Sequence, residues 1–287
     1  MDNGSTDGSP NAVKERFPTV KLICNKSNLG FARANNLGIA QSDGRYICLV
    51  NSDIQLLDGC IRRMCAYMDE RPSIGMLGPK ILNPDLSLRP NCQRFPNLWN
   101  TLCQALILYK IFPYSSVFSD RLMRDFPHDV VRDVEVLPGC FWMVRREAIN
   151  LVGLLDEDFL IYSEDLDWCR RFWEAGWRVV FTPGAEVIHF AGASSSRQPV
   201  RFHLERLRAS LHYWKKHHGQ AQQLCFLLIM MLHYSIRFVV LTPMVAMNPG
   251  QRDRTILQLK SAHICLKWLR TVIKEQMIGW LHTQLLS

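Results

Sequence analysis

The strongest constraint on the fold is a strand-helix-strand unit within the first fifty residues. Residues 20–24 (Val-Lys-Leu-Ile-Cys) and 46–50 (Tyr-Ile-Cys-Leu-Val) are short, apolar and β-rich, and the second run is nearly continuous, as a strand buried on both faces would be. Between them, residues 30–40 place Ala32, Ala34, Leu37 and Ile39 at helix-compatible spacing and stop at Ser42-Asp43-Gly44. The pattern predicts an α/β sheet in which the two runs are parallel neighbours. The second run continues into Asn51-Ser52-Asp53, which delivers a carboxylate to the C-terminal edge of the strand, where open α/β sheets bind ligands.

Further along, residues 58–70 read as a helix with Ile61, Met64, Cys65 and Met68 on one face, ended by Pro72. Five prolines between 79 and 134 (Pro84, Pro90, Pro96, Pro113, Pro127) break any long element, and that stretch receives no assignment. Residues 134–144 are strand-like around Pro138-Gly139, and residues 165–175 form a helix closed by Gly176. Two short strands, 178–181 and 186–190, flank Thr182-Pro183-Gly184-Ala185. A Ser194-Ser195-Ser196 linker then leads to a basic amphipathic helix over 202–218.

Four segments have the residue types for chemistry. Asp2-Asn3-Gly4-Ser5-Thr6-Asp7-Gly8-Ser9 suits either a tight loop whose amides and carboxylate meet a nucleotide or a solvated turn. Asp53 is either a ligand for a hard divalent cation on diphosphate oxygens or the cap of a turn. Tyr162-Ser163-Glu164-Asp165-Leu166-Asp167-Trp168 crowds three acids at a helix start among aromatic residues. Desolvation there raises carboxylate pKa values and makes general bases, whereas ordinary capping needs no more than the helix dipole. His189, at the end of an apolar strand before Gly192, is a ligand only if an acid meets it.

These segments and two others occur in a recognisable order. Asp-Asn-Gly-Ser-Thr-Asp-Gly-Ser is followed by Asn28-Leu29-Gly30-Phe31-Ala32-Arg33-Ala34-Asn35-Asn36, Val50-Asn51-Ser52-Asp53, residues 138–146 (Pro-Gly-Cys-Phe-Trp-Met-Val-Arg-Arg), Glu164-Asp165-Leu166-Asp167 and His189. From Asp2 to about residue 196 the chain resembles glycosyltransferase family 2, especially its rhamnosyltransferase-like members. The resemblance implies a GT-A fold and an inverting displacement, in which an acceptor hydroxyl attacks the anomeric carbon of a nucleotide-diphosphate sugar. It implies donor contacts at Asp2, Asn28, Gly30, Asn35 and Asn51, and Mn²⁺ or Mg²⁺ held by Asp53 and His189. It further implies Asp165 as general base supported by Glu164, with Asp167, Gly139 and Trp142 on the acceptor side. Asn51-Ser52-Asp53 departs from a full DXD motif in having one carboxylate. Family members also carry a strand, a helix and a second strand, about 30 residues on average element lengths, before the Asp-Asn-Gly-Ser motif. The implied GT-A domain, 1–196, therefore lacks its first strand-helix-strand, which leaves a sheet edge open.

Residues 197–287 form a helical C-terminal region. Apolar runs at 224–232 and 238–247 together approach the roughly 20 residues that span a bilayer, but His233, Arg237 and Pro243 interrupt them, so an interfacial or re-entrant segment is expected. The helix before them, with Arg201, Arg206, Arg208, Lys215 and Lys216 beside Phe202, Leu207, Leu211 and Trp214, has the composition of a membrane-surface helix or of an amphipathic helix packed on a domain or dimer. Lipid-linked or glycan acceptors at a membrane surface fit this region. Nucleic acid does not. The net charge of +8 accompanies apolar residues, with no zinc-finger spacing or RNP-like motif. Ten scattered cysteines without CxxC, and no basic-then-apolar leader, predict reduced thiols and a cytoplasmic site, at the cytoplasmic face of the membrane. The second reading is a catalytically inactive nucleotide- or sugar-binding paralogue, a truncated pseudoenzyme.

Overall fold

Six strands, β1 (Tyr46–Val50), β2 (Ile54–Leu56), β3 (Ile74–Leu82), β4 (Arg132–Asp133), β5 (Phe141–Arg145) and β6 (Arg178–His189), form one mixed sheet ordered β1-β5-β3-β6-β2, with β4 paired to β6. Among the strands of the described residues only β3 and β6 pair in parallel; the other strand pairings are antiparallel. The computed structural model describes residues 1–190, 199–247, 250 and 252–285, so the Ser194-Ser195-Ser196 linker and Gly192 lie outside the described residues. The helices are α1 (Ser9–Arg16), α2 (Phe31–Ala40), α3 (Cys60–Asp69), α4 (Leu98–Ala105), α5 (Leu108–Ile111), α6 (Arg146–Val152), α7 (Glu164–Glu174), α8 (Pro199–His217), α9 (Gln220–Met247) and α10 (Arg252–Leu285). They divide into two compact units: residues 1–95 with 126–191, and residues 96–125 with 192–287.

The first unit is built on β5, whose Phe141, Trp142, Met143 and Val144 are all buried. On one face, Phe141 and Met143 meet Cys60, Met64 and Met68 of α3, an i, i+4, i+8 stripe. Burial of each large side chain contributes about 1.5–3 kcal/mol. Ile61, expected on that stripe, is instead partly exposed. On the other face Trp142 packs edge-on to Phe31 of α2 and tilted against Trp168 of α7, with centroids 6.3 and 5.5 Å apart, and Trp168 meets Phe172 at 5.3 Å.

Residues 20–24 form no strand and do not neighbour β1: their sole sheet-like pairing is a bridge between Cys24 and Asp2, and Val20 stays exposed, so that run has no buried face to hold a ladder. In β1, Ile47 and Leu49 are buried while Cys48 and Val50 are exposed, so one face is covered, not two. In α2 the inward positions are Ala32, Ala34, Asn36 and Ile39, with Leu37 exposed. The two short strands near the end are one strand. Between Pro79↔Thr182 and Lys80↔Glu186 the register slips, leaving Pro183, Gly184 and Ala185 as a bulge. The unassigned segment supplies β3's last residues, then α4, capped reciprocally by Asn97 and Asn100, and α5.

The second unit is helical. Leu207, Leu211, Tyr213 and Trp214 of α8 are buried, and Trp214 stacks on Phe226 of α9 at 5.2 Å. α9 is continuous through Pro243, joining both apolar runs without a re-entrant break, and His233 Nδ1 lies 2.9 Å from the Ala105 carbonyl of α4. All ten cysteines are free thiols.

Asp167, with 0% exposure, accepts from Arg171 Nε at 2.8 Å, and the same guanidinium donates to the Val152 and Leu154 carbonyls, both at 2.9 Å. This clamp ties α7 to the loop after α6. Removing one partner of a buried pair strands the other charge, so Asp167→Ala is expected to destabilise the fold by about 3–5 kcal/mol, measured by urea unfolding.

Candidate active site

Asp2 anchors the first loop. Its carboxylate accepts from the Gly4 and Ser5 amides, each at 3.1 Å, and hydrogen bonds from Ser5 and then Gly4 hold it below its usual pKa. Asn3 is the hub of the next layer. Its Nδ2 donates to Asn28 Oδ1 (3.0 Å) and the Gly30 carbonyl (3.1 Å), while its Oδ1 accepts from Asn25 Nδ2 (3.1 Å) and the Leu29 amide (3.0 Å). Asn28 Oδ1 also accepts from the Gly30 amide at 2.9 Å. These bonds fold residues 25–30 onto the Asp2–Gly4 turn and leave a half-open polar loop at the start of α2.

Gly30 is required twice over. Its φ is +86°, and a Cβ there would sit 2.7 Å from the Leu160 carbonyl, so the loop before α7 passes directly against it. Asn36 makes a second tie between these regions. Buried at 5% exposure, it donates to the Leu155 carbonyl and to Glu157 Oε1 and accepts from the Leu155 amide. Asn35, by contrast, donates to the Phe31 carbonyl one turn back, at 2.9 Å.

The loop ends with Tyr162 and Ser163 both in the left-handed region (φ +71° and +65°), strain of the kind that accumulates at functional sites. It delivers Glu164 and Asp165 to the N-terminus of α7. Glu164 is 7% exposed, and its Oε2 is buried without a hydrogen-bond partner. Burial, reinforced by the charge of Asp165, pushes its carboxyl up to about 8, so it holds a proton at neutral pH. Asp165 is half-buried and accepts from the Leu166 amide at 2.9 Å.

Asp53 and His189 meet because β2 pairs antiparallel with β6, placing Ile54 opposite His189 and bonding the Phe190 amide to the Asp53 carbonyl. Their side chains approach at 3.3 Å, Nε2 to Oδ1. Burial lowers the imidazole's pKa, aided by Arg89 and opposed by Asp53, so the ring is neutral at pH 7 and the contact is a hydrogen bond. Asn51 donates its backbone amide to the Cys140 carbonyl at 3.0 Å, joining the end of β1 to the Pro138–Cys140 turn.

Around that turn the acidic and basic groups converge. The buried Cys140 thiol is pushed up to about 11 by desolvation, with Arg89 opposing and Asp165 reinforcing the shift. Arg89 follows β3 on a short hairpin whose backbone bonds to the Ile81 carbonyl, and its charge acts on both Cys140 and His189.

The structure thus brings Asp53 together with His189, and Asn28 with Gly30 under Asn3; Glu164 and Asp165 share the head of α7. Asp167 lies inside the fold. Trp142, with 0% exposure and its indole donating to the Leu137 carbonyl, is a floor, while Gly139 rests on its ring, a Cβ there meeting Trp142 at 3.1 Å. Asn3, Asn36 and Arg89 went unassigned from sequence. Asn3 and Asn36 lie in the Asp-Asn-Gly-Ser and Asn28–Asn36 motifs, but nothing in the local pattern signals bonds 26 or 119 residues away.

Residues 1–153 match the model of Glycosyl transferase family 2. The chain belongs to that family. It is 33% identical over 212 residues to the N-acetylglucosaminyl-diphospho-decaprenol L-rhamnosyltransferase of Mycobacterium tuberculosis, covering 69% of this chain and 68% of that one. It is 25% identical over 202 residues to rhamnosyltransferase WbbL of Escherichia coli K12, covering 61% and 67% respectively. Among solved structures, the mannosyltransferase PcManGT of Pyrobaculum calidifontis, in complex with GDP-Man and Mn²⁺, superposes with a TM-score of 0.51 at 14% identity, covering 93% of this chain and 76% of that one. This family 2 protein is a glycosyltransferase with the α/β GT-A fold followed by C-terminal helices.

The raised pKa of Glu164 has a sign that can be checked. The folded state binds the proton more tightly than an unfolded carboxyl near 4.5, so stability present below that value is lost as pH rises towards about 8. Glu164→Gln is expected to flatten the dependence and to be more stable at pH 8 by on the order of 2 kcal/mol, read from unfolding midpoints across pH 4.5–8.5.

Proposed function

We propose that this glycosyltransferase moves a rhamnose-like sugar or another hexose from a nucleotide diphosphate to a lipid-linked glycan acceptor, in cell-surface polysaccharide synthesis at the cytoplasmic face of a membrane. The observation that carries the reading is the pairing of Asp53 with a neutral His189 at one strand edge, with a separate carboxylate pair at the head of α7. Two of its relatives are rhamnosyltransferases, one named for a decaprenol diphosphate acceptor.

Asp53 and His189 offer a carboxylate oxygen and an imidazole nitrogen, donors suited to Mn²⁺ or Mg²⁺ with room left for diphosphate oxygens. Such a cation, when bound, compensates the charge of the leaving diphosphate. Arg89 adds a cationic group on the same side. The turn built on Asp2, Asn3, Asn28 and Gly30 offers polar edges to the nucleotide. Asp165 takes the proton from the acceptor hydroxyl as that oxygen attacks the anomeric carbon, and the nucleoside diphosphate departs from the opposite face. Glu164 keeps its own proton at neutral pH, so no second negative charge stands beside the base. Gly139 and the Trp142 floor shape the acceptor side, and Asp167 fixes the helix that presents the base.

Asp165→Asn is expected to lower kcat by about 10²- to 10⁴-fold without loss of the folded state, measured by donor turnover with Mn²⁺. An unchanged kcat would remove Asp165 from the mechanism. Arg89→Ala is expected to raise the donor KM by about 10-fold, the worth of one hydrogen bond to a charged group, leaving the unfolding midpoint in place.

A further inference from the structure

The two units differ sharply in charge. Residues 96–125 and 192–287 hold 16 Lys and Arg against 5 Asp and Glu, whereas the remaining residues hold 18 against 21. The whole positive excess therefore lies in the helical unit. The apolar face of α8 is spent on packing, with Tyr213 and Trp214 buried, so the basic amphipathic helix has no apolar stripe left for lipid.

α9 has one. Leu224, Leu228, Leu232 and Val239 are exposed, Leu228 at 53% and Val239 at 69%, and they fall within about 80° of one another on the helical wheel. The rest of α9 carries the buried Phe226, Leu227 and Tyr234 together with the partly buried His233 and Arg237, and near the C-terminus the exposed Val240 and Met244. Arg237, which interrupts the apolar run in the sequence, is thus turned away from the stripe. α9 is also long and apolar enough to cross a membrane by length and composition, with a mean hydropathy of 2.1 in an 18-residue stretch within residues 220–245. Spanning would force Arg237 and the helices packed on that side into hydrocarbon. Lying in the plane requires only that the stripe be buried.

Both ends of α9 are basic. Lys215 and Lys216 are exposed just before it, and Arg252 and Arg254 just after it. At 1.5 Å per residue, its 28 residues separate these clusters by about 42 Å. An apolar stripe with cationic ends matches the acyl region and the anionic headgroups of a bilayer surface.

We propose that the helical unit docks on anionic membranes by laying α9 in the plane of the interface, with Leu224, Leu228, Leu232 and Val239 among the acyl chains and Lys215, Lys216, Arg252 and Arg254 at the headgroups. This deepens the assignment of a lipid-linked acceptor and rests on it for its purpose, but its readout needs neither donor nor acceptor.

The test is co-sedimentation of the full chain with vesicles of phosphatidylglycerol and phosphatidylcholine (1:1) or of phosphatidylcholine alone. Preferential binding to the anionic vesicles, weakened by salt, is expected. The double variant Leu228→Glu, Val239→Glu should bind them about 10-fold or more weakly with an unchanged unfolding midpoint, and Lys215→Glu with Lys216→Glu should lose the anionic preference. Absence of binding by the parent, or equal binding by the apolar-stripe variant, would overturn the proposal. So would resistance of the cell-bound protein to alkaline carbonate, which marks a spanning helix. A dimer that the double variant dissociates would overturn it too, by making the stripe a contact between copies. Transfer to a short, water-soluble acceptor should survive in the stripe variant. Loss of vesicle binding with transfer intact strikes the docking surface alone, whereas no transfer by the parent strikes the functional assignment.

Discussion

The geometry of the active-site unit depends on one strand being asked to pair with three others. Over its twelve residues β6 runs beside β3 along nearly its whole length, while β4 and then β2 take turns on its other edge. A straight strand could satisfy the first demand with no freedom for the others. The bulge at Pro183, Gly184 and Ala185 absorbs the difference, letting the strand resume against β3 while its last three residues reach β2. Without that slip His189 would be set in another register, and a one-residue change in register turns a side chain to the other face of the sheet.

Local pattern was enough to reveal the amphipathic helices α2, α3, α7 and α8, because apolar spacing is a property of neighbours in the chain, but not the short α1, α4, α5 and α6. α2 and α7 and the basic α8 lie close to where periodicity puts them. The same spacing could not tell a strand from an apolar loop. Residues 20–24 have the composition of a strand, yet a strand is defined by its partners, and these residues have one bridging pair. The Asp53–His189 meeting had to be inferred from motif order, since the pairing that creates it joins residues more than 130 positions apart. Asn3 and Asn36 were illegible for a related reason. An amide side chain carries no hint of which distant backbone it will satisfy.

Burial also separated acids that look alike in sequence. Glu164, Asp165 and Asp167 stand within four residues at one helix end, but they have three environments: an unpartnered buried carboxyl, a half-buried one and a fully interior ion pair. The helical period explains the split. Asp167 is one turn below Arg171 and faces the interior, whereas Glu164 and Asp165 occupy the first turn where the loop arrives. In the second unit burial likewise distinguishes two neighbouring helices. α8 hides its aromatic residues against its neighbours, and α9 keeps a row of aliphatic ones outside.

The contact between Gly30 and the Leu160 carbonyl couples two loops that are distant in sequence. No side chain larger than hydrogen fits between them, so neither segment has slack with respect to the other. Asn36 pins the same segment a few residues earlier. The position of residues 28–30 therefore sets the position of the segment that leads into Ser163 and Glu164, so the polar loop before α2 and the acids at the head of α7 are built as one rigid piece.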